Sequence, residues 1–512
     1  MLLPTTAWAE TYQVGPDKPH TTLQEVTGLL QPGDVVEVDG GQTYAGGVTF
    51  GNEGDADNPI TVRGIVIDGQ RPVIEGGGNT IEVSGDHYIF EGLDITNGTN
   101  RCFYHHADDV VLRDSVIHDC PRHGVLGADS DSGSLLLEYI EVHHCGGGTQ
   151  DHQIYMATDE TAYPGSVFRM QHCYVHDANG GNNVKSRAER NEIYYNWIEG
   201  ARFHEIELIG PDGQNPDLAI ENGDVVGNVL IKTETSYVTR FGGDGTGQTF
   251  GHYRFVNNTV VVQPEGSAVF RLFDGIGSLE AHNNVMVAAD GGSISVLRDV
   301  EANWADGSAI FGSFNWIPAD SRRVPETWTD TIVGDAPGFI DLASLDLRPL
   351  EDSVLVDAGL SDPPSPVNYP FPEPQGVPAF HPPNREWIEL GSAQARPAVD
   401  AIDIGAFEWG MAPPMGDTDG GSTGGDDGGG GDGTGTTTTT LPTSGDDDGL
   451  PGGDDSSTMS GPSVDTDTDA AAQGDDDGGC SCSTRSDEPA SGALLLLGLA
   501  AMRRRRDRTS GR

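Results

Sequence analysis

Leu112-Arg-Asp-Ser-Val-Ile-His118 is followed by Leu137-Glu-Tyr-Ile-Glu-Val-His143, Met170-Gln-His-Cys-Tyr-Val-His176 and Ile193-Tyr-Tyr-Asn-Trp-Ile-Glu199. The series continues as Val225-Val-Gly-Asn-Val-Leu230, Phe255-Val-Asn-Asn-Thr-Val260 and Ala281-His-Asn-Asn-Val-Met286. One apolar-x-x-x-x-apolar strand therefore returns every 23 to 33 residues, the length of one coil of a solenoid whose coils touch only their neighbours. Asn196, Asn228, Asn258 and Asn284 hold the same place in four successive units, where stacked amides would hydrogen-bond along the axis. Cys120 and Cys145 also share a position one coil apart, and parallel strands about 4.8 Å apart would let them stack as thiols or close a disulfide. Cys102 and Cys173 read as buried small residues, and no Cys/His spacing matches a zinc site. His118, His143 and His176, in register beside a turn, read as a structural ladder.

Composition agrees with many short strands. The 512 residues include 72 glycines and 7% aromatics, and their Val/Ile/Leu runs are broken by Asn, Asp and Gly. A formal charge of −52 repels phosphate backbones and anionic headgroups, so neither a nucleic acid nor a lipid surface is an expected partner. The pattern over residues 11–409 resembles bacterial right-handed parallel β-helix repeat proteins, which implies an all-β solenoid and a monomer. Thr22-Leu-Gln-Glu25 reads as a capping box opening a short amphipathic helix, with Leu23, Val26 and Leu30 inward, that plugs the N-terminal end. Asp341 to Trp409 reads as proline-rich irregular chain ending in a closing strand, Asp-Ile-Gly-Ala-Phe-Glu at 403–408.

The chain ends read as targeting signals. Residues 1–10, with Ala7-Trp-Ala9, look like the remnant of a signal peptide. Residues 411–479 are almost wholly Gly, Asp, Thr, Ser and Pro, a composition expected to stay a solvated, disordered stalk. Over 480–512 come Cys480-Ser-Cys482, an apolar run from Ala493 to Met502 and Arg503-Arg-Arg-Arg506. The run is shorter than the roughly 20 residues that span a bilayer. This order resembles the myxobacterial C-terminal sorting tails (MYXO-CTERM). The resemblance implies transient membrane insertion, cleavage by a tail-processing protease, and a protein exported to the outer-membrane surface or beyond.

After each turn a second strand alternates: His123-Gly-Val125, His152-Gln-Ile-Tyr-Met156, Asn182-Asn-Val-Lys-Ser186 and His204-Glu-Ile-Glu-Leu208. With 125, 154, 184, 206 and then 156 and 208 inward, the outward files are Gln153, Asn183, Glu205 and Tyr155, Lys185, Glu207, with Arg187 beside them. His123, His152 and His204 fall at the turns. An extended acidic polysaccharide lying across these coils would meet a base, acids, a phenol and a guanidinium roughly 5 Å apart per coil. On a uronic-acid glycan such a set suits β-elimination, with Lys185 as base and Tyr155 or a neutral His152 as proton donor. Arg187 and partial burial would both favour the neutral amine.

Lys185-Ser186, with Asn191-Glu-Ile-Tyr-Tyr-Asn196 on the next strand, is similar to the lysine-serine motif of the chondroitinase B and alginate lyase family, which implies that Lys185 is the base. That family also implies calcium-binding glutamates a few residues upstream and an arginine one coil on. Here those places hold Ala178 and Gly180, and His204-Glu-Ile-Glu207, so no cofactor or metal is expected. Two other readings stay open: a noncatalytic surface glycan binder, and a pectinase-type hydrolase, which needs clustered outward aspartates rather than the glutamates present.

Overall fold

The computed structural model describes residues 9–411 except 129, 211–220, 243–248, 264–267, 274, 299–308 and 398–400. Most of the signal remnant, nearly all of the stalk and the sorting tail lie outside the described residues. Among the described residues the chain is a right-handed parallel β-helix, each coil laying one strand in each of three parallel sheets. The first sheet runs from Thr11–Val14 to Trp328–Thr329, the second from Thr43–Ala45 to Ile332–Gly334, and the third from Val48–Phe50 to Ala268–Leu272.

Register is fixed by what points inward. In the first sheet Val62, Phe90, Leu112, Leu137, Met170, Ile193, Val225 and Phe255 pair one above another, all fully buried. A slip of one residue in any coil would put a polar neighbour into that column. The asparagine ladder is present and one step longer than the sequence suggested, with Asn315 as a fifth member. Each amide after the first also accepts the backbone N–H of the asparagine before it, Asn196 accepting that of Cys173 instead, and each donates to a carbonyl of an earlier coil, as Asn258 does for Asn228 and Val225 at 2.9 Å each. Asn258→Leu strands both groups in the core, and the expected loss of stability is roughly 2–4 kcal/mol by urea denaturation. A loss near zero would mean that the ladder is ornamental.

Three expectations need correction. The disulfide joins Cys102 to Cys120, with Cα atoms 5.9 Å apart, while Cys145 and Cys173 are buried thiols. The pairing runs within one coil, across the corner between the second and third sheets, and not down the ladder. The N-terminal plug is one 3₁₀ turn, Leu23–Glu25, with no side-chain bond from Thr22. Glu25 instead accepts the backbone N–H of Thr21 at 2.9 Å, and Leu23, Val26 and Leu30 are buried as expected. Pro32 and Gly33 follow too soon for a longer helix.

The C-terminal segment does not simply close the end. After an antiparallel pair, Phe339–Asp341 with Asp346–Pro349, it folds back along the side of the solenoid where the first sheet turns into the second. Arg190 lies 4.8 Å from the Phe371 ring, the backbone N–H of Gln375 donates to Asp224, and Trp387 donates to the Tyr139 carbonyl. Residues 403–408 form no strand. Gly405 and Ala406 donate their N–H groups to the Asn283 carbonyl and to Thr259 Oγ1, and Arg396, buried, pairs with Glu408. Among the described residues no helix is long and apolar enough to cross a membrane.

Candidate functional site

The third sheet carries the predicted cluster on strands Ile154–Ala157, Val184–Arg187 and Ile206–Ile209. Ile154, Val184 and Ile206 pair inward, as do Met156, Ser186 and Leu208, so the residues between them must face out. Tyr155, Lys185 and Glu207 accordingly form one outward file in direct register.

Lys185 Nζ lies 4.9 Å from the centre of the Tyr155 ring and 4.0 Å from Glu207 Oε2. Arg187 donates Nε to Tyr155 Oη at 2.9 Å and Nη1 to the Gly210 carbonyl. The phenol oxygen thereby faces a cation that stabilises negative charge on it. Glu207 is nearly covered and accepts from Asn182 Nδ2 and from Arg240. Burial opposes its ionisation, but the Arg240 guanidinium and the Lys185 ammonium outweigh that, holding the carboxyl well below the usual range.

The imidazoles sit on the neighbouring file and are largely covered. His152 Nδ1 accepts the backbone N–H of Asn182 at 2.9 Å, which places the proton of the neutral ring on Nε2. That buried Nε2 meets no acceptor among the described residues, and the ring stands edge-on to Tyr155, centroids 5.4 Å apart. His123 Nδ1 accepts the N–H of His152, and His204 stacks on Tyr237. Burial lowers all three: His123 and His204 to about 4, and His152 well below its ordinary value, with Lys185 adding to the effect. The expected result is that the ring-proton NMR shifts of these three histidines stay flat between pH 5 and 8. A titration midpoint near 6.5 for His152 would contradict the burial argument.

Gln153, Asn183 and Glu205 do not face out. All three are fully buried and bond to one another down the corner: Gln153 Nε2 to Asn183 Oδ1 at 2.8 Å, and Asn183 Nδ2 to Glu205 Oε2 at 2.6 Å. Lys232 closes this column, Nζ 3.3 Å from Glu205 Oε1. The chain bends just before Ile154, Val184 and Ile206, so strict alternation does not extend to the residue before each strand. These three belong to the scaffold under the site, not to a contact surface.

Sequence reasoning missed the arginines that extend the file. Arg240 pairs with Glu207 and Arg271 with Arg240 in register, and the bridge between Phe270 and Leu297 sets Arg298 beside Arg271. Thr239-Arg-Phe241 and Phe270-Arg-Leu272 carried the same inward-outward-inward signal as Val184-Lys-Ser186. Arg240 thus supplies an in-register arginine two coils beyond Lys185.

The calcium set implied by the lyase resemblance does not fit. Ala178 offers no donor side chain, and a Cβ added at Gly180 would lie 2.6 Å from the backbone of Gly147, leaving no room for a carboxylate. Among the described residues no group of three or more His, Cys, Asp or Glu could hold a metal ion.

No family model matches the chain, and no curated protein matches it. Among solved structures, that of pectate lyase Pel9A superposes with a TM-score of 0.51 at 13% identity, covering 79% of this chain and 97% of its own. An alginate lyase from Paenibacillus sp. str. FPU-7 gives 0.33 at 17% identity, covering 59% and 97%. A PL6 family polysaccharide lyase from Pseudopedobacter saltans gives 0.37 at 14%, covering 65% and 96%. The pectate lyase likeness establishes a shared fold.

Proposed function

We propose that the chain is a polysaccharide lyase, exported to the outer-membrane surface or beyond, that cleaves a uronic-acid glycan by β-elimination. In this reading residues 11–409 are the enzyme, 411–479 a stalk, and 480–512 a tail removed by a protease after transient membrane insertion. The observation that carries the chemistry is one outward file in which Tyr155, Lys185 and Glu207 stand in register with Arg187 and Arg240 bonded to its members. An arginine neutralises the substrate carboxylate, which acidifies the adjacent C5–H. Lys185 Nζ takes the C5 proton, the electron pair forms the C4–C5 double bond, and the C4–O bond breaks. The leaving oxygen takes a proton from Tyr155 Oη or from the unpartnered Nε2–H of His152. The Cys102–Cys120 disulfide supports an oxidising compartment, and the likeness to the pectate lyase structure supports the reaction class.

The ion pair of Lys185 with the Glu207 carboxylate favours the ammonium, and that observation supports the second reading, a noncatalytic glycan binder. Incubating the full chain with a panel of uronic-acid polysaccharides separates the two. Growth of the ultraviolet absorbance of the unsaturated product supports the lyase. Retention on the glycans with no absorbance on any of them leaves the binder.

A further inference from the structure

The outward file on the third sheet is electrically lopsided. Toward the C-terminal end Lys185, Arg240, Arg271 and Arg298 occupy the outward file, and among the described residues the carboxylate in that run is Glu207. Arg240 and Arg271 both lie on Phe273, their guanidinium carbons 4.4 and 4.6 Å from its centre, and Arg271 and Arg298 both approach Tyr237. Like charges on adjacent strands destabilise a sheet. Burial first, and then the neighbouring Arg240 and Arg298, lower Arg271 to about 10.

Toward the N-terminal end the same file reads Tyr155, Leu126, Tyr104 and Glu82. Arg101 lies flat on the Tyr104 ring at 4.3 Å, and His106 stacks on it at 4.8 Å while pairing with Glu82. Arg122 is paired with Asp151. Here cations and carboxylates offset one another, and rings dominate.

We propose that this sheet face selects a glycan of uneven charge: consecutive uronates occupy the side from Lys185 to Arg298, and uncharged or esterified sugars occupy the side from Tyr155 to Glu82. This rests on the acidic-glycan reading above and refines it. Crowded arginines one coil apart, about 4.8 Å, match the carboxylates of an extended polyuronate and are relieved when it binds. Tyrosine faces and a leucine offer stacking to sugars of any charge, while Glu82 repels a carboxylate.

The test measures binding by calorimetry on the full chain carrying Lys185→Arg, which cannot act as the base but keeps a cation at the start of the run. The probes are oligogalacturonates of two to eight residues and the same oligomers with one half methyl-esterified. Affinity is expected to rise about twofold to fivefold per residue up to roughly four residues, then to level. A half-esterified octamer should bind at least as tightly as the fully acidic one. Arg271→Ala and Arg298→Ala should each weaken the tetramer, and Glu82→Gln should let affinity climb beyond four residues. Steady gains to eight residues in the parent, or an octamer weakened by half-esterification, would overturn the asymmetry while leaving the acidic-glycan reading in place. Binding of none of the probes would remove both.

Discussion

Lys185→Ala is expected to cut turnover of the responsive polysaccharide by roughly 10²–10⁴-fold, the usual worth of a positioned general base. The loss should fall chiefly on kcat with a smaller rise in KM, because the amine acts on the C5 proton and is only one of several cations facing the glycan. Folding should survive the change. Glu207 keeps its Arg240 pair and its hydrogen bond from Asn182, so no buried charge is left alone. Lys185→Arg separates charge from proton transfer: a guanidinium restores the pairing with Glu207 but cannot act as the base. Equal loss in both variants, with thermal midpoints near the parent's, is the outcome that fits. Full turnover in Lys185→Ala would leave the fold and end the mechanism. Turnover kept by arginine alone would mean that the lysine is there to neutralise Glu207.

How far the residues could be read follows from what each signal depends on. Coils, register and the asparagine ladder were legible because a solenoid repeats its own solution, and Asn196 to Asn284 mark it at intervals of 26 to 32 residues. The file of Tyr155, Lys185 and Glu207 was legible for the same reason, since two-residue alternation holds wherever the backbone is a strand. It failed one residue earlier, at Gln153, Asn183 and Glu205, because the bend before each strand turns that side chain inward. Arg240 escaped because residues 210 to 236 separate its strand from that of Glu207, against 188 to 205 between the strands of Lys185 and Glu207, and a longer coil hides the repeat. Contacts of long sequence reach, such as Trp387 on Tyr139 or the Cys102–Cys120 bond, follow from how the chain packs and have no local pattern to betray them.

Lys232→Met should destabilise the chain by about 3–5 kcal/mol at pH 8, since it removes one partner of an ion pair sealed from water. Lys232 and Glu205 are both fully buried, and the ammonium also donates to the Ala201 carbonyl at 2.6 Å. Burial pushes the Glu205 carboxyl from 4.5 up to about 7, with Lys232 working against that rise. The native chain therefore holds an extra proton at this site between those values. Its contribution to stability is complete below the lower value and declines as pH climbs through the upper one. Without Lys232 the opposing pull is gone and the carboxyl rises further, so the penalty of the variant should shrink toward pH 5, where Glu205 is neutral in both proteins. Glu205→Gln combined with Lys232→Met should recover much of the loss, because an amide oxygen can still accept from Asn183 and no charge remains inside. Urea midpoints across pH 5 to 8 read all three variants. A pH-independent penalty, or no recovery in the double variant, would show that Lys232 matters for its packing and not for its charge.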